Sequence, residues 1–199
     1  MSTIVIDEQY DKCRKILKES IGKKRYLHSI GVSDTAACLA MRYEEDMRRS
    51  ALAGLLHDCA KGLDKDDLIK TVVRAGISVS PIEEDNPELL HSKAGSVIAR
   101  EKYGIEDEEI LSAIFYHTTG KPDMTFIEKN IFLADCIEPN RSGIPGIDSV
   151  RSMAFNDIDK AVTMACLGTI EHLRRDSLEM DPITLETYKY YKELSGYEK

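Results

Sequence analysis

Apolar residues recur at roughly every third or fourth position along most of the chain, the spacing that places them on one face of an α-helix. Tyr10, Cys13, Ile16 and Leu17 form the first such stripe, on a helix that we expect to end near Gly22. No segment shows a convincing alternation of apolar and polar residues, which a half-buried strand would require. The pattern therefore predicts an all-α protein, a single compact bundle of about eight or nine helices.

Start and stop signals set the limits of the predicted helices. Asp64 and Asp107 suit N-cap positions, and Thr125 forms a capping box with Glu128. Prolines and polar residues predict loops over residues 77–87 and 140–148. The predicted helices cover, in order, about 10–22, 24–43, 48–60, 64–76, 88–102, 107–117, 125–138, 156–175 and 182–197.

Composition narrows the classes of protein that the chain can represent. Its 199 residues are 42% hydrophobic and 31% charged, which is typical of a globular protein and predicts one domain over residues 1–199. No apolar run approaches the ~20 residues of a membrane span, and the N-terminus lacks the features of a signal peptide. The net charge of -8 argues against a nucleic-acid surface. We expect a cytoplasmic protein that binds neither membrane nor nucleic acid.

Four of the five histidines lie on four different predicted helices, each among apolar or small neighbours. A lone histidine in such a place is usually a core residue with one hydrogen bond. Two carboxylates share the same kind of surroundings, where an unpaired charge is costly. Together they favour a metal site, whose six candidate ligands are His28, His57, Asp58, His91, His117 and Asp135.

The donor set favours a pair of transition-metal ions. The five cysteines are widely spaced and form no CxxC pair, so we expect no thiolate ligands. Six protein ligands are too many for one open catalytic zinc, but they fit two metal ions about 3.5–4 Å apart, bridged by a carboxylate and a hydroxide. The fifth histidine, His172, lies near a helix end and is expected to be solvated.

Three basic residues lie close in sequence to the predicted ligands. Lys61 follows Asp58 by three residues, which would place both on one helix face with His57. Arg25 precedes His28 by three residues, and Arg141 follows the Asp135 helix in a loop. If the ligand is an anion, we predict that Arg25, Lys61 and Arg141 contact it, with solvated surface charges as the alternative.

The order of the six candidate ligands resembles the metal-binding signature of the HD-domain phosphohydrolases. The segments "RYLHSIGV", "LLHDCAKG", "LLHSKAG", "YHTTGKPDM" and "ADCIEPNR" are similar to the YqeK-type branch, the symmetrical bis(5'-nucleosyl)-tetraphosphatases. This resemblance covers approximately residues 22–195. It implies an enzyme that cleaves diadenosine tetraphosphate into two ADP by a hydroxide bridging two metal ions.

The resemblance also implies roles for individual residues. One metal ion would be held by His28, His57, Asp58 and Asp135. Asp58 would bridge to a second ion, held with His91 and His117. Both ions would be iron, with manganese able to substitute. Asp58 and Lys61 would be catalytic residues, and Asp135 would also face the substrate.

Further substrate contacts follow from the same resemblance. The hydroxyls of Thr118 and Thr119 either cap a helix or bind a phosphate, and the motif favours the phosphate for Thr118. "MDPITLETYKYY" is similar to the family's nucleotide-facing segment, with Ile183, Thr184 and Tyr188 as candidates, although Tyr188 also fits a core position. Residues of about 22–145 would carry the metal site, and helices over about 156–197 would close the nucleotide pocket.

The predicted ligand is a dinucleoside polyphosphate or a nucleotide like ADP or GDP. Two alternatives remain at this point. One is another HD-domain activity, such as a nucleoside monophosphatase or a cyclic-dinucleotide phosphodiesterase. The other is a nucleotide sensor in which hydrolysis is incidental. The sequence leaves a homodimer open.

Overall fold

The computed structural model describes residues 7–198, which form an all-α structure without a strand. These residues contain eleven α-helices, more than the eight or nine expected, and a short 3₁₀ helix at Pro87–Leu90. The helices are α1 (Glu8–Ser20), α2 (Lys23–Arg42), α3 (Met47–Leu56), α4 (Lys65–Arg74), α5 (Pro81–Asp85), α6 (His91–Tyr103), α7 (Glu108–Tyr116), α8 (Phe126–Ile137), α9 (Ile147–Ala154), α10 (Ile158–Arg175) and α11 (Pro182–Ser195).

The predicted capping residues lie where the helices begin. The Asp64 side chain accepts from Asp67 N at α4, and the Asp107 side chain accepts from Glu109 N and Ile110 N at α7. Thr125 and Glu128 form both bonds of the predicted capping box at α8. The predicted caps are therefore confirmed. Such caps can be predicted from the sequence because each depends on residues only two or three positions apart.

Two predicted loops contain helices. Ser80 and Glu83 form a capping box with Pro81 at the first helical position, so α5 begins inside the predicted loop 77–87. The predicted loop 140–148 is also too long, because α9 begins at Ile147 and buries Ile147, Val150 and Ala154. Pro81 begins α5, and Pro145 and Gly146 directly precede α9, so residues that usually indicate loops mark the start of both short helices.

The third helix is shorter than predicted. α3 ends at Leu56, His57 is its C-cap, and a series of turns follows as far as Gly62. The expectation that His57, Asp58 and Lys61 share one helix face is therefore wrong. Lys61 still lies near Asp58, because its backbone N–H donates to the Asp58 carbonyl at 3.0 Å in one of these turns.

α8 is the central helix of the bundle. Ile127, Ile131 and Ala134 pack into one apolar cluster with α1, α2, α3, α6 and α7. Phe132 and Leu133, on its other side, pack into a second cluster with α9, α10 and α11. A helix that is apolar on most of its circumference is typical of a buried position. Asp135 therefore lies on an element surrounded by other helices.

α2 and α3 approach each other closely through small residues. A Cβ atom on Gly54 would lie 3.0 Å from the Ser33 Cα and from the Val32 carbonyl oxygen. A larger residue at position 54 would therefore separate the two helices. This approach brings His28 of α2 and His57 of α3 together, with ring centroids 5.2 Å apart.

Residues 1–6 and 199 lie outside the described part of the chain. The expectation about a signal peptide rests partly on residues 1–6, and the predicted domain limits reach both ends. Of the cysteines, all free, Cys13, Cys59 and Cys166 are buried and Cys38 is exposed. Between residues 7 and 198, none of the helices has the length and apolar composition that a membrane crossing requires.

Asp107 links the starts of α3 and α7, and its replacement should destabilise the fold. It caps α7 and also accepts two hydrogen bonds from Arg49, at 2.7 and 2.8 Å. We expect Asp107→Ala to lower the free energy of unfolding by about 1–2 kcal/mol, whereas Asp107→Asn, which keeps a capping oxygen, should cost less than about 1 kcal/mol. Urea denaturation of the three proteins measures both effects.

The ion pair also predicts how the effect of Asp107→Asn changes with pH. The hydrogen bonds from Arg49 lower the pKa of Asp107 in the folded protein. A lowered folded-state pKa stabilises the fold above the unfolded-state pKa, and this stabilisation is lost as the pH falls. The difference between wild type and Asp107→Asn should therefore shrink below about pH 4. A difference that stays constant from pH 7 to pH 3 would contradict the ion-pair explanation.

Candidate metal centre

Five helices bring the six predicted ligands together. His28 lies inside α2 and Asp135 inside α8. His57 and His117 are the C-caps of α3 and α7, and His91 is the first residue of α6. Asp58 follows His57 in the turn after α3. All the imidazoles lie near one another, with neighbouring ring centroids 5.0–5.2 Å apart.

Asp58 lies at the middle of the group and is buried. Its Oδ2 atom faces one pair of histidines, 3.8 Å from His28 Nε2 and 3.4 Å from His57 Nε2. Its Oδ1 atom faces the other pair, 3.5 Å from His91 Nε2 and 3.6 Å from His117 Nε2. One carboxylate thus presents a different oxygen to each histidine pair, which is the arrangement of a bridging ligand.

Asp135 supplies the second carboxylate and lies nearest the first pair. Its Oδ1 atom lies 3.0 Å from His28 Nε2 and 3.8 Å from His57 Nε2. Each carboxylate also contacts an arginine. Arg25 Nη1 lies 2.6 Å from Asp58 Oδ2, and Arg141 Nη2 lies 2.6 Å from Asp135 Oδ1. Positive charge therefore lies beside both aspartates.

A layer of acceptors behind the histidines orients the rings. Nδ1 of His57, His91 and His117 lies 2.7 Å from the carbonyl oxygen three residues earlier, on Gly54, Glu88 and Ile114 respectively. Nδ1 of His28 lies 3.2 Å from Glu138 Oε1. Because a carbonyl can only accept, Nδ1 must donate and Nε2 carries the lone pair. Each of these four Nε2 atoms lies 3.4–3.8 Å from an oxygen of Asp58.

The donor set fits a metal ion. Nε2 of His28 and of His57 is buried, and neither has a hydrogen-bond partner among residues 7–198. His91 Nε2 and His117 Nε2 lie 3.2 Å apart with their lone pairs toward the same space. Nitrogen lone pairs converging with carboxylate oxygens, supported by outer hydrogen bonds, suit a borderline transition metal. Three overlapping triads have ligand atoms within 4.8 Å of one another: His28–His57–Asp58, His57–His117–Asp135 and Asp58–His91–His117.

Burial and mutual attraction shift the pKa values in this cluster. Burial raises the pKa of Asp58, but His57 and His117 outweigh it and hold the pKa well below its usual value. The pKa of Asp135 is likewise lowered, by His28 in spite of burial. The pKa values of two adjacent imidazoles are shifted in opposite directions. Burial lowers the pKa of His91 to about 3, whereas at His117 burial is outweighed by Asp58, which raises the pKa. Ionised carboxylates and a neutral His91 are the forms that bind metals.

Comparison with known proteins agrees with this geometry. The HD domain family matches residues 25–140, a range that contains all six candidate ligands. The chain belongs to the HD-domain family. It is 42% identical over 177 residues to the symmetrical bis(5'-nucleosyl)-tetraphosphatase of Halalkalibacterium halodurans, covering 89% of this chain and 94% of that protein. The enzyme of the same name from Bacillus subtilis is 36% identical over 174 residues, covering 87% and 92%.

A solved structure has the same fold. It is described as a predicted HD superfamily hydrolase involved in NAD metabolism, from Clostridium acetobutylicum. It superposes with a TM-score of 0.89 at 39% sequence identity, covering 93% of this chain and 97% of that one. The family resemblance predicted from the sequence motifs is therefore confirmed.

The basic residues predicted to bind phosphate lie at the edge of the candidate metal centre. Arg25 and Arg141 pair with the two aspartates, yet their side chains remain 40% and 37% exposed. Lys61 is exposed as well. Partial burial of its ammonium lowers the pKa of Lys61, while the nearby Asp58 carboxylate acts in the opposite direction. All three side chains thus combine access from solvent with proximity to the centre.

The other substrate candidates lie around the turn after α7. Thr118 Oγ1 lies 3.3 Å from His91 Nε2, whereas the Thr119 hydroxyl donates to the Gly120 carbonyl at 3.0 Å. α11 packs against this turn, because a Cβ on Gly120, whose φ is +64°, would lie 2.7 Å from Thr187 Cγ2. The candidates on α11 are buried at Thr184 and half-buried at Ile183 and Tyr188.

Sequence reasoning missed the residues that support this centre. Glu138 is buried and lies behind His28, and Arg151 donates to the carbonyls of Ile137, Glu138 and Arg141. A signal existed for Glu138, a charged residue that directly follows the apolar stretch holding Asp135. None existed for Arg151, because α9 was not predicted. His172 is 53% exposed in the last turn of α10, as predicted.

Proposed function

We propose that the protein hydrolyses diadenosine tetraphosphate symmetrically to two ADP, at a centre of two metal ions. The supporting observation is the position of Asp58, whose two oxygens face different histidine pairs. The substrate and the symmetrical cleavage are supported by the relatives from Halalkalibacterium halodurans and Bacillus subtilis, which are both symmetrical bis(5'-nucleosyl)-tetraphosphatases. In this proposal, residues 1–199 form one domain, and helices over about 156–197 close the nucleotide pocket.

The proposed ligands divide into two sets that share Asp58. His28, His57, Asp58 and Asp135 would hold one ion, and Asp58, His91 and His117 the other. When bound, such a pair of ions lowers the pKa of a coordinated water toward ~7 and offsets phosphate charge. The family resemblance favours iron, with manganese as a substitute, whereas nitrogen and carboxylate donors also suit other transition metals.

The chain's own cations would bind the polyphosphate. Four linked phosphates carry several negative charges, and the protein as a whole is acidic, so attraction must be local. Three basic side chains lie beside the candidate metal centre and are accessible to solvent: Arg25, Lys61 and Arg141. A guanidinium can contact a phosphate through two parallel hydrogen bonds. Lys61 would stabilise the charge that develops as the bond to the leaving phosphate breaks.

The leaving group places few demands on the protein. ADP departs as a phosphate whose second pKa is about 6, so it needs no strong acid. Positioning and charge stabilisation therefore account for most of the catalysis that we propose. Thr118 would contact the phosphates. Thr119 would do so as well if its hydroxyl donated to a phosphate oxygen in place of the Gly120 carbonyl. Ile183, Thr184 and Tyr188 would hold the nucleoside, since α11 packs against the same turn.

A product assay tests this function. Diadenosine tetraphosphate is supplied to the purified full-length chain, and the nucleotides are separated by charge, with metal content measured on the same sample. We expect ADP as the sole product, and water labelled with ¹⁸O should place one label in one of the two ADP molecules. Asp66→Ala replaces an exposed carboxylate at the start of α4. This variant should give the same products and the same metal content as the wild type, so it is the matched control for aspartate substitutions in the proposed centre.

Other products would contradict the proposal in distinguishable ways. AMP with ATP would mean attack at a different phosphorus. Release of inorganic phosphate from nucleoside monophosphates, or opening of cyclic dinucleotides, would identify one of the other HD-domain activities. Tight binding of diadenosine tetraphosphate without turnover, in a protein loaded with metal, would favour a nucleotide sensor.

A further inference from the structure

His28 needs an orienting partner that the other three histidines do not. His57 and His117 are the C-caps of α3 and α7, and His91 is the C-cap of the 3₁₀ helix at Pro87–Leu90. The last carbonyls of a helix lack the partner that continues the helical series, so they can accept from an imidazole. His28 lies inside α2, where each carbonyl already accepts the N–H four residues ahead. Its Nδ1 partner comes from another element.

Glu138 supplies this partner from the end of α8. Its carboxylate is buried at 2% exposure, and Oε1 lies 3.2 Å from His28 Nδ1. Oε2 accepts from the backbone N–H and the side-chain amide of Asn140, at 2.8 and 2.9 Å. Both oxygens thus face donors. A carboxylate has two acceptor oxygens, whereas a glutamine has one and would place an amide N–H against a donor.

The surrounding residues leave space for this carboxylate and hold it. Gly31 lies one turn after His28 on α2, and a Cβ there would be 2.5 Å from Glu138 Oε2. The Asn140 amide nitrogen would also lie 3.3 Å from this Cβ. On the other side, Arg151 donates to the Glu138 carbonyl at 3.0 Å. The side chain and the backbone of Glu138 are therefore both constrained.

We propose that Glu138 is the positioning residue of His28, and that position 31 is glycine to admit its carboxylate. By accepting from Nδ1, Glu138 holds the ring with its Nε2 lone pair toward Asp58 and Asp135. This inference rests on the proposed metal centre, because His28 must be a metal ligand for its orientation to affect binding. Carboxylates behind a ligating histidine typically change metal affinity by about 10–100-fold.

Metal affinity tests the proposal without any measurement of turnover. Mn²⁺ is titrated into the metal-stripped full-length protein, and free Mn²⁺ is followed by electron paramagnetic resonance. We expect Glu138→Gln to weaken binding at one of the two sites by about 10–100-fold and to leave the other site near its wild-type affinity. The matched control is Glu83→Gln, which alters a buried glutamate that pairs with Lys93 instead.

Gly31→Ala provides a test that does not alter the carboxylate. Alanine is favoured over glycine inside a helix, which offsets part of the cost of displacing the carboxylate, so the metal-free protein should still unfold in one cooperative thermal transition. Mn²⁺ affinity should nevertheless fall, because the added Cβ displaces Glu138. In a Glu138→Ala background the same substitution should have no further effect on affinity, as expected for two residues that act through one contact.

The outcomes separate this inference from the proposed function. Wild-type Mn²⁺ affinity in both Glu138→Gln and Gly31→Ala would overturn the inference, even where the wild-type protein produces ADP. An equal loss of affinity in Glu83→Gln would also overturn it, since any buried glutamate would then have the same effect. If the wild-type protein binds Mn²⁺ but forms no ADP, the proposed function fails, and the predicted loss in both variants would still support the positioning role.

Discussion

Replacing Asp58 with alanine is expected to remove both metal ions and to lower turnover by several orders of magnitude. The reason is geometric, because Oδ2 faces His28 and His57 while Oδ1 faces His91 and His117. Loss of one side chain therefore takes an oxygen from both proposed sites. Residues that act as a unit lose nearly all of their effect when one is removed. Metal content per chain and the rate of ADP formation measure the two effects.

Single-site variants distinguish a bridge from an ordinary ligand. The Asp135 Oδ1 atom lies nearest His28 and His57, so Asp135→Ala should weaken that site much more than the other. His91→Ala should do the same for the opposite site. Thermal unfolding of each metal-free variant controls for misfolding. If Asp58→Ala kept both ions and full turnover, the dinuclear centre would be wrong.

Replacing Arg141 with alanine is expected to weaken nucleotide binding and to spare the metal ions. Its guanidinium contacts Asp135 twice, with Nη2 on the carboxylate at 2.6 Å and Nε on the backbone carbonyl at 3.0 Å. Hydrogen bonds to charged groups contribute about 1.5–3 kcal/mol, so KM should rise roughly 10–150-fold. Arg141→Lys should give an intermediate value, because an ammonium keeps the charge but not the paired geometry.

Metal content decides how Arg141 acts. Arg174→Ala is the matched control, since it removes the same charge from an exposed position on α10. If Arg141→Ala lost metal along with nucleotide affinity, Arg141 would act by holding Asp135 rather than by binding phosphate. An unchanged KM with normal metal content would show that the guanidinium does not reach the substrate.

The helices that could be predicted are those whose signals lie within a few residues. Asp64, Asp107 and the Thr125–Glu128 pair are capping residues because of local spacing, which no tertiary contact changes. α9 was missed because it starts at Gly146 without a side-chain cap. The helical spacing of its apolar residues can be recognised only when Pro145 and Gly146 are taken as the start of a helix rather than as part of a loop. The early end of α3 also escaped prediction, because the turns after it continue the same apolar pattern.

In the centre, the candidate ligands were predictable and their support was not. Histidines and aspartates in apolar segments stand out, because burying such groups without partners is costly. Arg151 does not stand out, and Glu138 does so only by following an apolar stretch, since glutamate and arginine beside loops are usually solvated. Their roles depend on contacts between α2, α8 and α9, and no short-range pattern records which helices meet. Lys61 was predicted to lie near Asp58 for the wrong reason, a shared helix face that the turns replace.

The two kinds of partner behind the histidines give the centre an uneven tolerance of mutation. No substitution can delete a backbone carbonyl, so the partners of His57, His91 and His117 withstand any single amino-acid change that leaves the helix ends in place. The partner of His28 is a side chain and can be lost in one step. We expect divergence and directed evolution to retune metal preference from the His28 side, while the opposite histidine pair stays the same.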